Sequence, residues 1–167
     1  MPIGVAAPGT PNLTLLSESL CSLWLQQEKD LFVTLAADIN TPVGAFELVE
    51  HYKSRGLDIE VILHEPHSYF RLGGIWKKIT DSWQRVDSKY AAFMHYDDIW
   101  SPGKLSAQIR HLESTNSNGT WCSVSTFRDS LLNAQQEYSY STIKEQEILR
   151  GKTSAWSHST VANKDQL

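Results

Sequence analysis

The sequence is short of most features that would set it apart from ordinary globular proteins. Among its 167 residues there are two cysteines, Cys21 and Cys122, far apart and outside any metal-ligand spacing. That excludes a cysteine-rich metal site or a disulfide scaffold, and fits free thiols in a reducing compartment better than a disulfide. No apolar run approaches the roughly 20 residues of a membrane helix. The start, MPIGVAAPGTPN, places no basic residues before its short apolar stretch, so no signal peptide is read and a cytoplasmic location is expected. Positive charge is not in excess: the net charge is −4 and the pI about 5.8. A basic face for nucleic acid is therefore not expected, although a few cations or a bound metal can still hold a nucleotide. Neither G-x-x-x-x-G-K-[ST] nor G-x-G-x-x-G occurs, which removes the phosphate loops of kinases and dehydrogenases. Internal repeats and low-complexity segments are also missing. The sequons at Asn12 and Asn118 are chance matches unless the chain is secreted.

What is present is 41% apolar and 20% charged, the balance of a soluble globular domain. The length suits one domain with a respectable core, or a piece of a larger protein. The tail SHSTVANKDQL has no helix cap or closing apolar element, so a longer parent chain is expected.

Apolar patterning alternates between short runs and helical stretches. IGVAAP (3–8) reads as a buried strand, LFVTLAAD (31–38) as a second and IEVILHE (59–65) as a third. Between them, leucines at 13, 16, 20, 23 and 25 predict a helix over 13–27. A second helix is predicted over 41–56, with Thr41 as N-cap, Pro42 at the first position and Gly56 as the stop. Gly73-Gly74 breaks the next segment before IWKKITDSWQRV resumes a helix. KYAAFMHY (89–96) is the fourth expected strand, Pro102 opens a helix, and TWCSVSTF (120–127) is the fifth strand. EYSYST and SAWSHSTVA can be later strands with a short polar helix between them. Strand–helix alternation with near-continuous apolar strands predicts an α/β fold around a largely parallel sheet.

Such a sheet binds ligands beyond the carboxyl ends of its strands. The strand-end residues Pro8, Gly9, Asp38, Glu65 and the cluster at 95–98 are therefore candidates. In HYDDIWSPGKLSAQ (95–108), Asp97 and Asp98 stand together where an apolar strand runs out. Two carboxylates there can hold Mg²⁺ or Mn²⁺, which takes one or two protein carboxylates and fills its shell with phosphate oxygens and water. The plain alternative is that Asp97 caps a turn and Asp98 is solvated. HEPH (64–67) lacks the H-E-x-x-H spacing of a zinc helix and reads as a strand-end loop. Trp76, Trp83 and Trp100 read as core or cleft-wall aromatics.

The run YAAFMHYDDIWSPGKLSAQIRHL resembles the centre of the family 2 glycosyltransferases, inverting enzymes with the GT-A fold. In that family a strand ending in an acidic D-x-D motif leads into W-x-P-x-K-L-x-x-Q. Trp100, Pro102, Lys104, Leu105 and Gln108 match that run at the same spacing. The order of preceding strands and helices matches more loosely, so the resemblance reaches from residue 3 to about 160. It implies a GT-A (Rossmann-like) three-layer α/β/α sandwich and one domain over 1–167. Residues 1–115 would be the donor-binding part and 116–167 the start of an incomplete acceptor-side part.

By resemblance, Asp97 is the metal-binding carboxylate and Asp98 the acidic residue that often follows it. His95 stands where the family has the first Asp of its motif, a departure that brings no negative charge near the donor ribose, and Tyr96 lies between. Asp38 matches an Asp that bonds the donor's nucleobase, although it can also cap the helix near Thr41. Pro8 and Gly9 match backbone contacts to base and ribose. Lys77 and Lys78 fall near the interval of a family Arg at the pyrophosphate, although helix lysines are usually solvated. His158 matches a segment near the acceptor or phosphate.

The implied activity is metal-assisted transfer of a sugar from a nucleotide-diphosphate sugar to an acceptor hydroxyl on a glycan, with inversion and with Mn²⁺ or Mg²⁺ as cofactor. The general base is unassigned, because Glu137, Glu145, Glu147 and Asp165 sit in no matching motif. A domain that binds nucleotide sugar without turnover, or a nucleotidyltransferase-like enzyme, is the alternative.

Overall fold

The computed structural model describes residues 2–3, 12–28, 30–65, 74–122, 124–127, 134–138 and 160–164. Three parallel strands form the first sheet, in the order β1-β2-β3: β1 (Pro2–Ile3), β2 (Phe32–Asp38) and β3 (Asp58–His64). The β2–β3 register runs without a break from Phe32↔Asp58 to Asp38↔His64. The remainder of the strand expected over 3–8 lies outside the described residues.

Alternation along β2 sends its side chains to two different layers. Val33, Leu35 and Ala37 join a core with Leu16, Leu20 and Leu23 of α1 (Leu13–Trp24) and with Ala45, Val49 and Tyr52 of α2 (Val43–Ser54). Asp38, and His64 beside it, meet the other layer, α3 (Gly74–Arg85). The fold is α/β with a parallel sheet, as the patterning predicts.

Helix ends follow local chemistry. Asn12 caps α1, its side-chain oxygen accepting from the N–H groups of Thr14 and Leu15 at 3.0 and 3.4 Å. α2 begins one residue later than the capping pattern predicts: Pro42, at ψ 143°, is itself the cap residue and Thr41 Oγ1 caps nothing. The cause is a turn in which the Thr41 N–H donates to the Asp38 carbonyl, so helical bonding starts from the Pro42 carbonyl. Gly56 does end α2. Its φ of +92° lets its N–H reach the Lys53 carbonyl and that of Leu57 reach Tyr52, the paired bonds of a Schellman stop.

Beyond α3 the chain departs from the simple parallel expectation. The strand expected over 89–96 is only β4 (Tyr90–Ala92), and α4 (Lys104–Thr115) starts two residues after Pro102. The strand expected over 120–127 is two, β5 (Gly119–Trp121) and β6 (Val124–Phe127), and β6 pairs with β7 (Ala134–Tyr138). β8 (Thr160–Asn163) inserts antiparallel between β4 and β5. The short helix expected between the late strands falls outside the described residues. Just after β8, Lys164 donates through Nζ to the carbonyls of Trp83 and Val86 at the end of α3. Among the described residues no helix is long and apolar enough to cross a membrane.

Leu20 is fully buried where α1 meets α2 and the sheet. Leu20→Ala is expected to cost about 3 kcal/mol by cavity formation, read as a lower urea midpoint with an unchanged slope. A loss below about 1 kcal/mol would mean that the site collapses to fill the space.

Candidate functional site

Two polar clusters form where the strands run out. The first joins the ends of β2 and β3 to α3. Asp38 and Lys78 are both buried, with Lys78 Nζ 2.6 Å from Asp38 Oδ1. Lys78 is therefore neither a solvated helix lysine nor an outward-facing cation, but the counter-charge to Asp38. His64 is also buried, its Nδ1 3.6 Å from Asp81 Oδ2, while Lys77 pairs with Asp81 at 2.8 Å in solvent. Burial pushes the His64 imidazole below its usual pKa, an effect that the neighbouring Asp81 carboxylate opposes. The Lys77 hydrogen bond holds the Asp81 carboxyl below the usual range. One turn further on, Arg85 reaches Glu60 at 3.2 Å. Residues 78, 81 and 85 share one stripe of α3, so this helix meets the sheet edge through charge.

The second cluster is the acidic turn. The Asp98 N–H donates to the His95 carbonyl at 3.3 Å, and the His95 N–H donates to Asp98 Oδ2 at 3.1 Å. Asp98 thus closes the turn, while Asp97 at its tip is exposed. His95 is half-buried, its ring set edge-on against Phe93 with centroids 4.8 Å apart. Half-buried Tyr96 has its phenol pKa raised by desolvation and by the Asp97 charge.

Among the described residues the turn and the chain after it pair with no strand, and they lean on α1. Ser19 Oγ lies 2.6 Å from the Tyr96 carbonyl and 2.5 Å from the Asp98 carbonyl. Ser22 Oγ accepts the Trp100 N–H at 3.1 Å. Gln26 donates to the Ser101 carbonyl at 3.0 Å and accepts the Leu105 N–H at 3.3 Å. None of these three residues was a sequence candidate. Their only signal is polarity at positions 19, 22 and 26, in and just after a leucine-rich helix.

The W-x-P-x-K-L-x-x-Q run is mostly scaffold. Trp100, Lys104, Leu105 and Gln108 are buried, and Gln108 Nε2 donates to the Thr120 carbonyl at 3.4 Å. Gly103 takes φ +77° to turn the chain into α4. Lys104 Nζ sits 3.9 Å from the Trp100 ring centroid and has no hydrogen-bond acceptor among the described residues. Desolvation lowers its pKa from 10.5 to about 8, against the opposing pull of Cys122 and Asp98.

Among the described residues no three His, Cys, Asp or Glu side chains converge as a metal cage. One exposed carboxylate, Asp97, backed by Asp98 with one oxygen already engaged, fits a hard cation that draws most of its ligands from phosphate and water. Pro8, Gly9 and His158 lie outside the described residues, as do Glu145, Glu147 and Asp165. An apolar cavity of about 330 Å³, lined by Phe32, Val33, Ile79, Trp83, Tyr90 and Ile109, opens beside the first half of β2, away from its carboxyl end.

No protein-family model matches the sequence, and no curated protein matches it. Solved structures do match. S. aureus TarS 1-349 superposes with a TM-score of 0.65 at 17% identity, over 97% of this chain and 45% of that one. The same fragment in complex with UDP-GlcNAc gives 0.69 at 17% identity, over 97% and 43%. A structure of S. aureus TarS gives 0.57 at 19%, over 71% and 19%. The chain thus spans less than half the length of these neighbours, and what it shares with them is a GT-A-like α/β fold.

Two stability predictions follow from the buried cations. Lys78→Met removes the buried cation 2.6 Å from Asp38 and is expected to cost on the order of 3 kcal/mol, with Asp38→Asn in the same chain restoring part of it in urea titrations. For Lys104, the folded protein holds fewer protons than the unfolded chain between pH about 8 and 10.5. Stability should therefore rise with pH across that window, by on the order of 3 kcal/mol. Lys104→Met should flatten the rise and stabilise the protein at pH 7. An unchanged pH profile in that variant would show that Lys104 titrates normally.

Proposed function

We propose that this chain takes part in transfer of a sugar from a nucleotide-diphosphate sugar to an acceptor hydroxyl, with Asp97 at the diphosphate. The observation that carries this reading is the acidic turn of residues 95–98, which leaves Asp97 exposed on a fold shared with a protein crystallised with UDP-GlcNAc. The spacing of Trp100, Pro102, Lys104, Leu105 and Gln108, resembling family 2 glycosyltransferases, supports the same reading.

In this reading Asp97, with Asp98 behind it, holds Mn²⁺ or Mg²⁺, which would neutralise charge developing on the diphosphate leaving group. His95 adds no negative charge to the turn, so the cation rests on fewer protein ligands and more on the donor's own phosphates. Asp38, fixed by Lys78, offers a carboxylate at the strand end where a base N–H can donate. Inversion requires the acceptor hydroxyl to attack opposite the leaving group while a base within hydrogen-bond reach takes its proton.

The departure at His95 favours one second reading, a domain that binds donor without turning it over. A panel of nucleotide sugars headed by UDP-GlcNAc, each with Mn²⁺, Mg²⁺ or EDTA, tests both by thermal shift and by release of nucleotide diphosphate. The expected result is stabilisation of about 2.7 kcal/mol at a hundredfold excess over Kd, stronger with metal, and loss of the metal-dependent part in Asp97→Asn. Stabilisation without nucleotide release selects the second reading. No response to any nucleotide, with or without metal, removes both.

A further inference from the structure

We propose that Ser19, on α1, is the positioning residue that sets the direction of Asp97, an inference that rests on the donor-binding reading above. Ser19 is wholly buried among the leucines that dock α1. A hydroxyl in such a place is retained at a cost unless it is bonded. Ser22 and Gln26, the latter just past the helix end, each meet part of that need on the helix backbone, Ser22 Oγ on the Ser19 carbonyl at 2.8 Å and Gln26 Nε2 on the Ser22 carbonyl at 3.0 Å. Ser19 instead meets two carbonyls that lie 77 and 79 positions along the chain, those of Tyr96 and Asp98.

Those two residues flank Asp97. One hydroxyl has one proton, so that proton is shared between the two carbonyls or alternates between them, and both oxygens lie within 2.6 Å of Oγ. The residues on either side of Asp97 are thereby pinned to one point on α1. From the opposite side, the Asp98 carboxylate closes the turn on the His95 N–H. With both neighbours held inward, the exposed side chain of the turn is that of Asp97. Ser19 touches neither donor nor cation and acts only through the backbone of the residue that does.

A purely structural serine would weaken the fold and the site together; a positioning serine weakens the site beyond what the fold loses. Mn²⁺ in the presence of UDP is the probe, with bound metal read by electron paramagnetic resonance rather than by turnover. Ser19→Ala is expected to lower Mn²⁺ affinity about 10-fold. Leu20→Ala, which loosens the same helix without touching the turn, should leave the affinity well short of the roughly 10-fold loss expected when a metal-supporting contact is removed. In an Asp97→Ala background the Ser19→Ala effect should vanish, because the two act as one unit. Where Ser19→Ala does not fold, Ser19→Cys keeps a weak donor and should bind Mn²⁺ with intermediate affinity. Equal losses in Ser19→Ala and Leu20→Ala, or additive effects of Ser19→Ala and Asp97→Ala, would overturn the proposal. Wild-type protein that binds UDP but no Mn²⁺ also overturns it and leaves donor binding standing. Binding of neither removes the proposal together with the reading beneath it.

Discussion

A segment that leaves a strand ladder inside a protein must still pair its peptide groups, and residues 96–105 do so on the side of a helix. Unpaired, each buried N–H or C=O would cost roughly 1–3 kcal/mol, more together than a small domain can spare. α1 resolves this with Ser19 and Ser22, joined by Gln26 just past its end; the three side chains take up carbonyls and N–H groups from Tyr96 to Leu105. The same helix carries Leu16, Leu20 and Leu23 into the core. One element therefore both anchors the parallel sheet and shapes the acidic turn, and the geometry of the candidate site inherits the rigidity of the core.

The opposite face of the sheet is held differently. α3 meets Asp38, His64 and Glu60 through Lys78, Asp81 and Arg85, so its contact with the strand ends is largely ionic. Outer members of such a set contribute little in water, whereas the buried Asp38–Lys78 pair is costly to break from either side. This asymmetry matters at the strand end: a carboxylate that already has a fixed cation partner is held in one orientation at the place where parallel sheets receive ligands.

Much of this was legible in the sequence. The periodicities of 13–27 and 41–56 and the helix opened by Pro102 locate three helices, and the apolar runs 31–38 and 59–65 locate the two best-formed strands. The tandem carboxylates and the W-x-P-x-K-L-x-x-Q run mark the turn. What the sequence hides is long-range pairing. Tyr90–Ala92 looks like the core of a longer parallel strand until its antiparallel partner, 160–163, is known. Lys78 looks like a surface lysine because nothing nearby in the chain announces Asp38. Ser19 is plain by any local criterion; its role depends on carbonyls in a distant turn. Thr41 and Pro42 show the reverse, a local cap signal displaced by a neighbouring turn.

The bond from Lys164 to the end of α3 has a consequence in time rather than in space. Asn163 and Lys164 also donate their N–H groups to the carbonyls of Asn118 and Lys89, so the last described strand ties together segments made long before it. A ribosome releasing this chain exposes β2, β3 and their helices while β4 and β5 still lack the strand that belongs between them. The half carrying Asp38 can mature early, on local contacts. Among the described strands, β4 and β5 must wait for residues 160–164 to emerge between them, and the slow closure typical of distant pairings falls on the part of the molecule that bears the candidate site.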